Sequence, residues 1–88
     1  MTAFAGLPCS NFDLFEYRLR KLGDIILDDF EASIVFPDGM AAIKAYCRRR
    51  GLRLMECNGL LRLLVEARYQ LIVTDQEIYP WRLIETIK

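Results

Sequence analysis

The sequence predicts a small α+β domain, with about three helices packed on a three- or four-stranded sheet. Three observations carry that expectation. Pro37 to Gly51 has the marks of a helix with both ends set, and it is flanked by the extended-looking Ser33-Ile34-Val35-Phe36 and Leu52 to Cys57. Phe12 to Phe30 repeats its large apolar residues in steps of three and four. The length of 88 residues allows one modest core and not two, so residues 1–88 are read as one domain.

Met1 to Cys9 is small and apolar, with Gly6 and Pro8, and reads as an irregular lead-in. Ser10 or Asn11 can cap the first helix, with Asp13 in its opening turn. Phe12, Phe15, Leu19, Leu22, Ile26 and Phe30 then form one helical stripe. Gly23 interrupts it, at a cost of about 1 kcal/mol if the helix continues. The expectation is one long helix, or two nearly collinear pieces, ending near Phe30.

Ser33 to Phe36 is expected as a strand, because Pro37 disfavours the helical region for Phe36 and because Ile and Val are β-branched. Asp38 is placed to cap the next helix, in which Met40, Ile43 and Cys47 share a stripe. Arg48, Arg49 and Arg50 fill its last turn, where cations meet the negative end of the helix dipole. Gly51 can close the helix in the left-handed region, and Leu52 to Cys57 follows as a strand. Residues 33–57 would then be a βαβ-like unit, tight but feasible for a parallel crossover.

Asn58-Gly59 opens two readings. It is a hairpin signal that would make Leu60 to Glu66 a returning strand, or Asn58 caps a helix. The run LLRLLVEARY lacks clean alternation and is rich in helix formers, which favours a helix over 60–68. Leu71 to Thr74 is expected as a strand bounded by Asp75. Residues 81–88 fit either a helix face or strand alternation.

Lysine plus arginine equal aspartate plus glutamate, at 12 each, so the whole chain exerts no net pull on nucleic acid or an anionic membrane. No apolar run approaches the ~18 residues that span a bilayer, and no signal peptide is evident. Cys9, Cys47 and Cys57 have neither metal-ligand spacing nor an even number for disulfides, which points to a reducing, cytoplasmic setting with Cys47 and Cys57 as small core residues. Histidine is absent, which removes Ser–His, Cys–His and His–metal chemistry from a single protomer. DGMAAIK lacks the glycine spacing of a phosphate loop. Asp28, Asp29 and Glu31 read as a solvated helix end rather than a metal cluster, since adjacent helical residues point about 100° apart. Asp75, alone after its strand, reads as a turn residue. The sequence thus nominates no catalytic residue, cofactor or metal.

Function is expected in contact with another macromolecule. A hydrophobic share of 53% is high for so short a chain, which favours burial of some surface against a partner protein or a second copy in a homodimer. The candidate contact residues are Arg48, Arg49, Arg50, Arg53, Tyr79 and Trp81. Aromatics anchor interfaces, although Trp81 equally suits the core of a small domain. The arginines match phosphate bidentately, which makes a nucleic-acid-binding regulator the alternative. They equally suit helix termination and solubility, and repulsion between Lys44 and Arg48 invites an acidic neighbour, either from Asp24 to Glu31 or from a partner. A small non-catalytic protein-binding module, as adaptor, inhibitor or assembly component, is the favoured reading.

Overall fold

The computed structural model describes residues 10–75 and 80–85. Its elements are α1 (Asn11–Leu22), β1 (Asp24–Leu27), α2 (Asp29–Val35), α3 (Met40–Arg50), β2 (Arg53–Cys57), β3 (Leu60–Leu64), α4 (Glu66–Asp75) and β4 (Arg82–Glu85). The strands form one sheet in the order β1-β3-β2-β4, every pair antiparallel. The α+β class therefore holds, while the βαβ-like unit at 33–57 does not. The expected lead-in over 1–9 lies outside the described residues.

Ser10 caps α1, its Oγ accepting from the Asp13 amide at 3.0 Å. The helix ends at Gly23, whose φ of 73° is left-handed and whose amide donates to the Leu19 carbonyl. Beyond it the chain is strand β1, not more helix. The stripe that ran on to Phe30 was a coincidence of spacing: Leu22, Ile26 and Phe30 are exposed, and the buried residues here are Ile25 and Leu27, two apart as a strand requires.

Asp28 then caps α2, accepting from the Glu31 amide at 2.8 Å, and residues 33–35 are helical rather than extended. The proline rule holds where it strictly applies, at Phe36, which leaves the helix with φ −125° and ψ 77°. Its effect does not reach back over Ser33 to Val35. Gly39, with φ 90°, occupies the N-cap of α3 in place of Asp38 and makes no side-chain cap. At the other end Gly51 closes α3 in the left-handed region, as expected.

Asn58 and Gly59 both have positive φ, 51° and 84°, the backbone of a tight primed hairpin turn. Residues 60–64 are consequently strand, not helix. Alternation was invisible because both faces of this inner strand are covered: Leu61 and Leu63 face the helices, while Arg62 and Leu64 are buried on the other side. Leu71 to Thr74 belongs to α4, a helix that starts after Val65, so Asp75 ends a helix rather than a strand. Arg82 to Glu85 settles the C-terminal ambiguity as strand β4 on the free edge of β2.

The core lies between the sheet and α1, α2 and α3. Ile25 and Leu27 of β1, Leu61 and Leu63 of β3, and Leu54 of β2 supply the sheet side. Phe12, Phe15, Phe36 and Tyr46 pack above them with ring centroids 5.4 to 6.0 Å apart, several edge to face. Cys47 and Cys57 are buried, in keeping with their expected packing role.

Candidate protein interface

The register assigns every sheet residue to a face. Ile25, Leu63 and Leu54 share one row, and Leu27, Leu61 and Glu56 the next, both turned toward the helices. The residues between them fall on the opposite face. Ile26, Arg62, Met55 and Leu83 form a row across all strands. Asp24, Leu64 and Arg53 flank it on one side, and Leu60 with Cys57 on the other.

This second face has a covered centre and an apolar rim. Arg62, Leu64, Met55 and Cys57 are buried, whereas Ile26, Leu60 and Leu83 are 42%, 38% and 37% exposed. Arg62 donates twice to Asp24, Nε to Oδ1 at 3.0 Å and Nη2 to Oδ2 at 2.6 Å. The Trp81 ring covers the same guanidinium, with its centroid 5.3 Å from Cζ. The Trp81 Nε1 is buried and meets no acceptor among the described residues. That desolvated donor must be outweighed by the packing of the ring around it.

A parallel arrangement stands at the neighbouring position. Arg53 donates through Nε to Glu66 at 2.9 Å, while its guanidinium carbon lies 4.0 Å from the Tyr69 centroid. The Arg53 hydrogen bond, helped by one from Gln70, holds the Glu66 carboxyl below its usual range, and Glu66 in turn raises Arg53. Two arginines, each gripped by a carboxylate and faced by an aromatic ring, therefore stand side by side on this surface.

The sequence-nominated residues divide between the two sides of the sheet. Arg53 and Trp81 both lie on the face opposite α1, α2 and α3 but at opposite ends of it, Arg53 against Glu66 and Tyr69 of α4 and Trp81 over Arg62. Arg48, Arg49 and Arg50 lie exposed at the end of α3, in the helix layer. Tyr79 falls outside the described residues. The arginine run is thus not one patch. Arg50 donates to Glu16 of α1 at 2.6 Å, and Tyr46 donates to the same Glu16 oxygen at 2.9 Å. Burial, followed by that carboxylate, raises the Tyr46 phenol well above its ordinary value. Arg49 and Arg50 lie 5.7 and 5.6 Å from the Tyr46 ring centroid. The acids that meet this basic run are Glu16 for Arg50 and Glu66 for Arg53, whereas the neighbour expected from the sequence is one for Lys44 and Arg48. Neither acid belongs to the Asp24–Glu31 group.

Sequence reasoning missed Arg62 and Asp24 as parts of this surface. One signal was present: Arg62 is the lone charge within Leu60 to Val65, where a strand reading would have required it to be paired.

Among the described residues, no three or more acidic, cysteine or histidine side chains are grouped to hold a metal ion, and no helix is long and apolar enough to cross a membrane. Compared with known proteins, the chain matches no family model, and no curated protein or solved structure is significantly similar to it.

Proposed function

We propose that this chain is a small non-catalytic protein-binding module, acting as an adaptor, inhibitor or assembly component, and that it meets its partner with the sheet face opposite α1, α2 and α3. The observation that supports this reading is the row Ile26, Arg62, Met55 and Leu83 with Trp81 above it. Interface hot spots are enriched in Trp, Tyr and Arg, held rigid and surrounded by contacts that exclude water. Here both arginines are held by carboxylates and aromatic rings before any partner arrives, so little side-chain entropy remains to be lost on binding. The half-exposed Ile26, Leu60 and Leu83 supply the surrounding apolar contacts.

The nucleic-acid alternative draws less support, because Arg50 and Arg53 already spend their charge on Glu16 and Glu66. Affinity capture tests the choice. The wild-type chain should retain a protein that survives nuclease treatment, and the Ile26→Asp/Leu83→Asp variant should lose it while keeping its circular dichroism spectrum. Retention abolished by nuclease, or equal retention by both chains, would refute the proposal.

A further inference from the structure

We propose that the outer face of α1 pairs antiparallel with the same face of a second copy of this chain, about a two-fold axis at Tyr17. This surface is separate from the sheet face, so the two proposals stand or fall independently. Asp13, Glu16, Tyr17, Arg20 and Lys21 are three or four residues apart and share one side of the helix. Phe15 and Leu19 are buried on the other side. The outer face lines an open concavity of about 690 Å³. Along it the charge changes sign, from the carboxylate of Asp13, with Glu16 already paired with Arg50 of the same chain, to cations at Arg20 and Lys21. Tyr17, half exposed, sits at the crossover and holds Lys21 through a long hydrogen bond and a ring contact at 5.7 Å.

A helix with this layout complements itself when reversed. An isologous contact requires that a patch fit its own two-fold image. With Tyr17 on the axis, Asp13 of one copy stands opposite Lys21 of the other, and Leu14, also half exposed, stands opposite Arg20. The two tyrosine rings meet at the centre. A parallel pairing would instead set acid against acid and base against base. Because the contact is two-fold, each favourable pair occurs twice, and each charge reversal is felt twice.

The same layout also complements the helix's own dipole, and charge swaps separate the two roles. Sedimentation velocity over a concentration series is the measurement. Wild-type protein should form a dimer. Asp13→Lys alone and Lys21→Glu alone should each weaken it about tenfold, as two exposed pairs turn repulsive. Mixing these two variants should restore association, since every cross-pair is again opposite in sign. The double variant Asp13→Lys/Lys21→Glu should associate like wild type, although its charges now oppose the dipole. As a control for overall charge, mixing Asp38→Lys with Arg49→Glu should give no gain over either alone. In a Cys9→Ser background, Tyr17→Cys should form an intermolecular disulfide under mild oxidation. A wild-type monomer at millimolar concentration, a mixture no tighter than its components, a gain in the control mixture, or no cross-link in the Tyr17→Cys variant would each overturn the pairing.

Discussion

Replacing Asp24 by Asn should be among the most damaging single changes to an acid in this chain. Arg62 lies in the inner strand β3 with its side chain 11% exposed, and Asp24 holds it from β1 with 22% exposed. Removing one partner of a buried pair costs about 3–5 kcal/mol, because the remaining charge has given up its water and lost its counter-charge. Partial exposure of Asp24 and the Trp81 ring over Arg62 soften this, giving about 2–4 kcal/mol. For a chain of this size a loss of about 3 kcal/mol lowers Tm by roughly 15 °C. The companion variant Asp24→Leu/Arg62→Met removes both charges and should recover most of the loss, since apolar replacement of a buried pair is often neutral or stabilising. Urea unfolding followed by circular dichroism measures both. A cost below about 1 kcal/mol for Asp24→Asn, or a double replacement as costly as the single one, would refute the buried-pair explanation.

Gly23 and Gly51 both hold left-handed backbone, but a Cβ at Gly23 would lie 3.1 Å from Val65 Cγ2, whereas Gly51 has open space. Gly51→Ala should therefore cost about 1 kcal/mol and Gly23→Ala distinctly more, about 2–3 kcal/mol, measured by the same unfolding series. Trp81→Phe should stay within about 1 kcal/mol of wild type, because the lost area is offset by removing an unsatisfied donor. Trp81→Ala should cost about 2–3 kcal/mol, because it strips the cover from Arg62. Arg53→Gln should return the Glu66 carboxyl toward its ordinary range, read by carbon-detected NMR titration. A carboxyl depressed in the folded state contributes stability above its unfolded value and loses it as pH falls through the folded one, so this variant should flatten that part of the acid-stability profile.

Element ends were the most legible part of the fold. Ser10 and Gly51 act through local backbone chemistry and are used where the sequence placed a cap and a stop. Gly23 and Asn58-Gly59 act in the same local way, but as the full stop and the hairpin turn that the sequence reading favours less. What failed was the reading of the segments between them. Leu22, Ile26 and Phe30 fall at helical spacing yet lie outside the core, so periodicity misled where a glycine stop had already ended the helix. Leu60 to Leu64 hid its strand because an inner strand covered on both faces has no polar side to alternate with. Residues 33–35 are β-branched or neutral by propensity, but the cap at Asp28 and packing of Ala32 into the core make them helical.

The site was legible only in part. Arg53 and Trp81 could be nominated as interface residue types, but the placement of Trp81 over Arg62 depends on β4 joining the edge of β2, a long-range pairing that no local pattern encodes. The apparent arginine cluster dissolved for the same reason: consecutive numbers at the α3–β2 turn lead to opposite sides of the sheet.

Site-specific photo-crosslinking interrogates the proposed binding face itself. A photoreactive phenylalanine analogue placed at Leu83, on the exposed apolar rim of that sheet face, should capture a discrete protein in cell extract, and the same probe at Arg49 in the helix layer should not. A probe at Leu83 that captures nothing, or one that captures no more than Arg49 does, would rule this face out as the docking surface.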